Sequence, residues 1–335
     1  MKVIVIIAGG DSSEHDVSMR SAAGIYSWLD QEKYEVYIVE MTHGKWIVKV
    51  DGAEQPEVDR HNFSFELGGR HIIPDYAYIT IHGTPGEDGI LQGYLDLMNI
   101  PYSTSDVFVE ALTFNKFVLN QYLKGFGVKV AESLLIRRGQ EVSGEDVVSR
   151  LGLPCFVKPN GGGSSFGVTR CKSVDDILPA IDKAFTEWDE VVIESELTGM
   201  EISNGVYRSR EGICVLPITE VVSENEFFDY DAKYNGQVEE ITPARLSDAT
   251  TRRIQALTKE IYGILGAQGI IRVDYIISKR DNGDGTTTDI INLLEINTTP
   301  GMTPTSFIPQ QVRAAGLEMK DVLDDVIGEK LDMSH

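Results

Sequence analysis

Apolar and polar residues follow one another along this chain in patterns that predict buried strands joined to amphipathic helices. Residues Val3–Ile7 form a continuous β-branched run, which is typical of a strand buried on both faces of a parallel sheet. The run ends near two glycines. A helix that Ser12 or Ser13 can cap is predicted next, with apolar positions at helical spacing at Val17, Ala22, Ile25 and Leu29. A strand, a glycine turn and a helix N-terminus together form a site suited to anions.

The rest of the chain continues this alternation of strands and helices. Further strands are predicted at Tyr34–Glu40, Lys45–Val50, Asp75–Ile81, Glu132–Ile136, Leu151–Pro159 and Val206–Thr219, and an edge-like strand at Glu190–Glu194. Further helices are predicted at Ser105–Leu123, Asp175–Phe185 and Asp248–Leu265, with two closing helices from Gln310 onward. This order indicates an α/β fold whose N-terminal part is an open parallel sheet.

Two segments near the C-terminal end, Ile270–Ser278 and Asn292–Asn297, combine apolar and polar residues at strand spacing. Side chains alternate faces along a strand, so one face carries the polar residues Arg272, Asp274, Glu295 and Asn297. The opposite face carries the apolar residues Val273, Tyr275, Leu294 and Ile296. The linker KRDNGDGTTTD has the composition of a turn between two antiparallel strands.

If the two polar faces coincide, two carboxylates, an amide oxygen and a guanidinium converge on one spot. Hard oxygen ligands of this kind suit Mg²⁺, which takes one or two carboxylates and completes its shell with water and substrate phosphates. The alternative is an ion-pair network on a solvated sheet face, with Asn297 starting a turn. The Gly/Pro-containing loop at 298–303 favours a binding site, because no core packing requires it.

The charge balance restricts the partners of the chain. At 335 residues the chain is long enough for two or three domains, and its 42% hydrophobic content is ordinary for a soluble globular protein. The formal net charge of -22 argues against a nucleic-acid partner and against an anionic membrane. Local lysines, metal ions and backbone amides must therefore bind any phosphate ligand.

The cysteines and the N-terminus indicate a reducing compartment, and we expect a cytoplasmic protein. Cys155, Cys171 and Cys214 are odd in number and show no CxxC spacing, so they predict neither a disulfide framework nor a cysteine metal site. The apolar run at 3–8 is too short for the core of a signal peptide. No apolar run approaches the ~20 residues of a membrane span.

Three further segments carry candidate binding residues. Lys158 lies near the end of a predicted strand and runs into NGGGSSFGV, whose amides can approach phosphate oxygens, although a hairpin turn with a solvated lysine is the alternative. His82 and Glu87 follow a strand end, where open α/β sheets bind ligands. Glu14 can bind a ligand or complement the helix dipole. The missing GxGxxG argues against a NAD-dependent oxidoreductase.

Seven segments, in this order, resemble the ATP-grasp carboxylate–amine ligases and, within them, the D-alanine–D-alanine ligase family. They are GGDSSEHDVS from Gly9, HGTPGEDGILQG from His82, FVKPNGGGSSFGV from Phe156, VVIESELTGMEIS from Val191, FFDYDAKY from Phe227, IIRVDY from Ile270 and LLEINTTPGMTPTSF from Leu293. The resemblance implies a multi-domain α/β ATP-grasp fold with an N-terminal α/β domain at 1–104, a central ATP-grasp subdomain at 105–190 and a C-terminal one at 191–335.

The resemblance also implies a nucleotide and metal site. Its metal ligands would be Asp274, Glu295 and Asn297, which would hold two Mg²⁺ or Mn²⁺ ions. Its residues for ATP, the co-substrate, would be Lys116, Lys158, Glu194, Leu197, Glu201 and Lys233. The glycine-rich loop reads NGGG at 160–163 where relatives often carry a bulky polar residue, so the contacts of this loop with ATP depart from the family pattern.

The implied reaction activates one D-alanine as an acyl phosphate and joins it to a second. Glu14 and His82 would bind the first D-alanine, and Ser306 with Phe307 the second. Ser164, Tyr234 and Glu14 would form a hydrogen-bonded set that ties the loop at 224–237 to the substrate. Arg272 and the amide of Gly301 would stabilise the oxyanion. A homodimer and a role in peptidoglycan synthesis are further implications.

Two alternatives remain open at this point. One is an ATP-grasp ligase that joins D-alanine to D-lactate or D-serine, although Tyr234, which is typically Phe in relatives that use D-lactate, favours the dipeptide. The other is a non-catalytic ATP-binding protein. The metal ligands, Lys158 and Arg272 argue against it, because a pure nucleotide binder needs no oxyanion partner.

Overall fold

The computed structural model describes residues 1–50, 55–162, 166–223 and 238–333. Its strands are β1 Lys2–Gly9, β2 Tyr34–Thr42, β3 Lys45–Lys49, β4 Phe65–Leu67, β5 Arg70–Ile72, β6 Tyr76–Ile79, β7 Ser133–Arg137, β8 Cys155–Pro159, β9 Thr169–Cys171, β10 Glu190–Ser195, β11 Met200–Ser209, β12 Gly212–Ser223, β13 Val238–Ile241, β14 Ile270–Asp281 and β15 Thr287–Asn297. Its α-helices are α1 His15–Trp28, α2 Ile90–Met98, α3 Val107–Phe114, α4 Lys116–Lys124, α5 Gly144–Leu151, α6 Ile177–Ala184, α7 Asp248–Leu265, α8 Phe307–Ala314 and α9 Met319–Met333.

The N-terminal sheet has the strand order β3-β2-β1-β6, and β1 pairs in parallel with both β2 and β6. The side chains of β1 are buried on both faces, as its β-branched run predicted. Ile4 and Ile6 pack in one core with residues of α1 and α9, whereas Val5 and Ile7 belong to a second core on the other face. This sheet therefore presents the loops that follow β1 and β6 at one edge.

The second sheet, β7-β10-β8-β9, is antiparallel, and its core packs against α5 and α6. The prediction that Glu190–Glu194 is an edge strand is wrong, because β10 pairs with β7 on one side and with β8 on the other. Its four central residues are buried, which fits the apolar run Val191–Ile193 better than an edge position does. β10 begins at the expected domain boundary at 190/191, and the three domain ranges stay a prediction.

The third sheet, β13-β12-β11-β14-β15, is also antiparallel, and α7 packs on its apolar face. Helix α7 has the bounds that the sequence predicted. The Ser247 hydroxyl accepts from the amide of Thr250 at its start, and Gly266 ends it in a left-handed conformation. Val273 and Tyr275 of β14 point into this core. The opposite face of β14 is therefore available to the polar residues.

Three predicted boundaries are wrong for local hydrogen-bonding reasons. The helix expected at Ser105–Leu123 is broken at Asn115, whose backbone is extended and whose side chain caps α4 by accepting from Val118 N. The strand expected at Leu151–Pro159 begins only at Cys155, because α5 continues to Leu151. Helix α1 begins after Glu14 rather than after a capping serine, and the Ser12 hydroxyl accepts from the Glu14 amide.

No helix within the described ranges combines the length and the apolar character that crossing a bilayer requires.

A buried carboxyl group connects α3 and the residue Ser105 before it to the segment that follows β15. Glu110 on α3 is fully buried, and it accepts from the Ser105 amide at 3.0 Å and from the Thr298 hydroxyl at 2.5 Å. Burial raises the pKa of Glu110 well above its ordinary value, and the nearby Glu87 raises it further, against the opposing effect of the Thr298 hydrogen bond. Glu110 is therefore a neutral acid over part of the pH range in which an exposed glutamate is charged.

This pKa shift predicts a pH dependence of folding stability. Above the ordinary glutamate pKa of about 4.3 the folded state holds a proton that the unfolded state has lost, so the free energy of unfolding falls as pH rises through this window. Glu110→Gln should fold and should show a smaller fall, measured by thermal denaturation from pH 5 upward. Glu141→Gln, at an exposed loop position, is the control. An unchanged fall in Glu110→Gln would contradict a neutral buried acid.

Candidate active site

The register of β14 and β15 brings the four polar residues onto one face. Asp274 lies directly opposite Glu295, and Arg272 lies opposite Asn297. Directly opposed residues of an antiparallel pair point to the same side, so the expectation that the two polar faces coincide is confirmed. Ser203 and Gly205 of β11 continue the same two rows on the other side of β14.

One residue of β15 departs from strict alternation. The pairing shifts between Asp274 and Tyr275, which lie opposite Glu295 and Leu293, and Leu294 is the extra residue of this β-bulge. The expectation that Leu294 points away from Glu295 is therefore wrong: Leu294 lines the site cavity, and Leu293 enters the core in its place. The cavity face thus gains an apolar surface beside the carboxylates.

The Arg272 guanidinium is the central charge of the site. Its Nε donates to both oxygens of Asp274, at 3.0 and 3.1 Å, and one Nη donates to Asp274 Oδ2 at 2.7 Å. The same Nη lies 3.8 Å from Glu295 Oε1, and the guanidinium lies 5.3 Å from the centre of the Phe307 ring. Burial opposes the charge of Arg272, but the Asp274 carboxylate outweighs burial, and the pKa of Arg272 is raised.

The donors near Arg272 fit a Mg²⁺ site that substrate completes. Two carboxylates and the amide oxygen of Asn297 supply hard oxygen atoms on neighbouring strands, and this number of protein ligands leaves room for water and phosphate. Asn297 also accepts from the amide of Thr299 at 3.0 Å, so it starts a turn as the alternative interpretation expected. In the described part of the chain, no group of three or more His, Cys, Asp or Glu residues forms an all-protein cation cage.

Lys158 and Glu194 form a buried ion pair across β8 and β10. The Lys158 ammonium lies 2.6 Å from Glu194 Oε2, and Asn120 of α4 donates to Glu194 Oε1 at 2.8 Å. Both charged side chains are largely shielded from solvent, so the lysine is no solvated surface cation. This arrangement contradicts the alternative of a hairpin turn with a solvated lysine, and it directs the ammonium into the cavity.

Lys116 lies at the first position of α4 rather than in the middle of a helix. Its ammonium donates to the carbonyl of Gly162 in the glycine-rich loop at 2.5 Å. Burial lowers the pKa of Lys116 to about 8, with Lys158 lowering it as well, and Glu295 opposes both effects. An anion bound beside Lys116 would therefore stabilise its charged form.

Asn160 organises the start of that loop, which no motif indicated. Its carbonyl accepts from the Lys116 amide at 3.0 Å, and its Oδ1 accepts from the Phe117 amide at 2.9 Å. Its Nδ2 donates to Asn115 Oδ1 and to Glu190 Oε2, both at 2.9 Å. Asn160 therefore attaches the glycine-rich loop to the N-terminus of α4 through both its backbone carbonyl and its side-chain amide.

The loops after β1 and β6 form the wall opposite the third sheet. Glu87 accepts from the Gly83 amide at 2.6 Å and from the Thr299 hydroxyl at 2.7 Å, and burial raises the pKa of Glu87. His82 is 5% exposed, and its Nε2 has no hydrogen-bond partner among the described residues. Glu14 is the N-cap residue of α1. The N-terminal unit thus contributes an imidazole and carboxylates to the cavity.

A tight turn precedes α8 and closes the remaining side. The Ser306 hydroxyl accepts from the Thr303 amide at 3.1 Å, and the Ser306 amide donates to the Thr303 carbonyl at 2.9 Å. A Cβ added at Gly301 would lie 3.0 Å from Ser306 Oγ, so a larger residue there would disturb this turn. The turn sets the position of the Gly301 backbone relative to Phe307.

A single cavity of about 1200 Å³ joins these walls. Every expected site residue in the described ranges lines it: Glu14, His82, Lys116, Lys158, Glu194, Leu197, Glu201, Arg272, Asp274, Glu295, Asn297, Gly301, Ser306 and Phe307. Ser164, Lys233 and Tyr234, together with the loop at 224–237, lie outside the described residues.

Two lining residues that the sequence analysis did not single out form a second ion pair. Arg170 Nε donates to Glu196 Oε1 at 2.6 Å, and its Nη2 donates to Glu196 Oε2 at 3.1 Å. Neither residue shows a periodicity or motif signal of its own, because the pair forms between β9 and the segment after β10, which only the folded sheet brings together.

Comparison with known protein families assigns both parts of the chain. Residues 3–105 match the family described as D-ala D-ala ligase N-terminus, and residues 122–328 match D-ala D-ala ligase C-terminus. The chain belongs to the D-alanine–D-alanine ligase family. It is 61% identical over 327 residues to the D-alanine–D-alanine ligase of Bacteroides fragilis (strain YCH46), covering 98% of each chain, and 54% identical to that of Porphyromonas gingivalis (strain W83), again covering 98% of each.

Solved structures of D-alanine ligases share the fold. The VanG D-Ala:D-Ser ligase of Enterococcus faecalis aligns with a TM-score of 0.85 at 29% identity, over 98% of both chains. The D-alanine–D-alanine ligase of Bacillus anthracis complexed with ATP aligns with a TM-score of 0.77 at 25% identity, over 100% of this chain and 99% of that one. The expected ATP-grasp α/β fold is therefore confirmed.

The lowered pKa of Lys116 predicts an alkaline limit for this ligase. The free enzyme should lose the Lys116 charge near its pKa of about 8, so kcat/KM for ATP should fall with a midpoint in that region. Lys116→Arg should move the midpoint upward, because a guanidinium stays charged. Lys124→Arg, in an exposed ion pair with Glu132, is the matched control. A wild-type midpoint near the ordinary lysine pKa of about 10.4 would contradict the assignment.

Proposed function

We propose that this enzyme uses ATP to join two D-alanine molecules into D-alanyl-D-alanine for peptidoglycan synthesis. The observation that carries the proposal is the single cavity in which the Arg272–Asp274 pair, the two lysines and the N-terminal loops meet. Its support from similarity is the 61% identity to the ligase of Bacteroides fragilis over nearly the whole chain. ATP use is in keeping with the family and with the ATP complex of the Bacillus anthracis ligase.

The first proposed step forms an acyl phosphate. The carboxylate of the first D-alanine attacks the γ-phosphorus of ATP, and ADP leaves. Glu194, Leu197 and Glu201 would bind the nucleoside, and Lys116, Lys158 and Lys233 its phosphates. Asp274, Glu295 and Asn297 would hold two magnesium ions, and bound magnesium supplies charge neutralisation at the transferred phosphoryl group.

The second proposed step forms the peptide bond. The amine of the second D-alanine attacks the activated carbonyl, and phosphate leaves. Arg272 and the amide of Gly301 would donate to the developing oxyanion, and one such donor is typically worth ~3 kcal/mol. Glu14, helped by His82, would bind the ammonium of the first D-alanine, and Ser306 with Phe307 would seat the second.

Ser164 and Tyr234 would position the loop at 224–237 over the substrate. Ser164 and Tyr234, with Glu14, would tie this loop to the substrate, and its closure would keep water from the acyl phosphate. Tyr234 rather than Phe favours D-alanine over D-lactate as the second substrate. Because ATP is the co-substrate and the cysteines are free thiols in the structure, we place the reaction in the cytoplasm.

Product analysis tests this function directly. With ATP, Mg²⁺ and D-alanine the enzyme should release phosphate and yield a product with the mass of two alanines minus one water, whereas L-alanine should give neither. Glu295→Gln should reduce phosphate release by at least about a hundredfold with its fold intact, because a metal ligand is weakened without a core cavity. Preferential formation of a D-lactate or D-serine product in competition would overturn the dipeptide assignment.

We also propose that the enzyme is a homodimer, as the family resemblance implied. Ile90 and Leu97 lie seven residues apart on α2 and are 62% and 77% exposed, and Phe108 at the start of α3 is 61% exposed. Apolar surface of this kind is suited to contact with a second copy. Light scattering should give about twice the chain mass of 37.1 kDa. Leu97→Glu should reduce it and Leu178→Glu on α6 should not; a monomeric wild-type enzyme would contradict the proposal.

A further inference from the structure

Ser203 lies in the same row of the third sheet as two of the proposed metal ligands. It pairs with Asp274 across β11 and β14, and Asp274 pairs with Glu295 across β14 and β15. Directly opposed residues share a face, so the Ser203 side chain is next to the Asp274 carboxylate on the cavity side. Ser203 also lines the cavity.

The Ser203 hydroxyl has no hydrogen-bond partner in the ranges that the structure describes, although the residue is only 1% exposed. The side chains of Thr219 and Gln311, which lie beside it, do have partners. Thr219 lies opposite Ser203 on β12. Its hydroxyl is hydrogen-bonded to the Thr242 hydroxyl and accepts from Gln311 Nε2 at 2.9 Å. Gln311 Nε2 also donates to the Ser203 carbonyl at 3.0 Å. A buried hydroxyl without a partner destabilises a fold, so this group calls for a functional explanation.

The hydrogen bonds of Asp274 supply that explanation. Among the described residues, the hydrogen-bond donors to the Asp274 carboxylate are the Nε and one Nη of Arg272. The proposed function requires the same guanidinium to donate to the oxyanion of the substrate. When the guanidinium turns toward that oxyanion, Asp274 loses these donors while it still has to be oriented toward the metal. Ser203 is a neighbouring uncharged donor on that face.

We propose that Ser203 is a positioning residue: its hydroxyl donates to the Asp274 carboxylate when Arg272 turns to the substrate, and so keeps Asp274 oriented as a metal ligand. The inference rests on the proposed function and deepens it. Removal of a group that hydrogen-bonds to a metal ligand commonly reduces the metal affinity by about 10- to 100-fold.

The experiment compares Ser203→Ala with Ser203→Thr. Ser203→Ala should raise the half-saturating Mg²⁺ concentration about tenfold and should weaken Mn²⁺ binding in the presence of ADP by a similar factor, measured by electron paramagnetic resonance. Its KM for D-alanine should stay within about twofold, because the substrate-binding residues are untouched. Ser203→Thr keeps a hydroxyl and should restore the metal response.

Thermal stability separates this role from a merely structural one. Ser203→Ala should melt at the wild-type temperature or above it, because it removes an unsatisfied buried hydroxyl. Thr169→Val is the matched control, since the Thr169 hydroxyl is also buried without a partner in the described chain but does not line the cavity. It should leave the metal response unchanged. If Ser203→Ala does not fold, Ser203→Cys, whose thiol is a weak donor, replaces it with the same expected result.

The outcomes distinguish a failure of the proposed function from a failure of the role proposed for Ser203. A wild-type enzyme that makes no dipeptide overturns the proposed function. A wild-type enzyme that makes the dipeptide, with a folded Ser203→Ala or Ser203→Cys variant whose Mg²⁺ and Mn²⁺ responses are unchanged, overturns the role of Ser203 alone.

Discussion

The antiparallel register of β14 and β15 is the constraint on which the site depends. It sets Asp274 opposite Glu295 and Arg272 opposite Asn297, so that four polar side chains share a face whose reverse side is packed against α7. A slip of one residue would exchange these faces and bury the carboxylates in the core. The apolar residues Val273 and Ile296 oppose each other in the same register and pack in that core. The register that packs the core is therefore the same register that assembles the site.

The negative net charge of the chain explains why Lys116 and Lys158 line the cavity. A chain with a net charge of -22 repels nucleotides over most of its surface, and its attraction for phosphate has to be local. In the proposed function Lys116 and Lys158 provide it from α4 and β8. Gly162 and the Asn160 network hold the first lysine in place, and Glu194 holds the second. Arg272 is paired with Asp274 in this structure.

Periodicity and turn composition predicted most of the longer strands, α7 and the convergence of the polar face, because these features depend on neighbours close in the sequence. The short strands β4, β5, β9 and β13 were not predicted. The errors arose where distant contacts decide the local structure. Asn115 interrupts a helical pattern because its side chain caps α4 and also accepts from Asn160. The bulge at Leu294 and the central position of β10 depend on strand partners that no local pattern identifies.

The location of the metal ions in a crystal of the enzyme with Mn²⁺, ADP and a phosphorylated phosphinate analogue of the dipeptide intermediate would show whether the polar face of β14 and β15 is the catalytic centre. Anomalous scattering should place two ions about 2.0 to 2.3 Å from oxygens of Asp274, Glu295 and Asn297, with Arg272 turned from Asp274 to the analogue. Ions bound elsewhere in the cavity, with Arg272 still paired to Asp274, would show that this sheet face is not the catalytic centre.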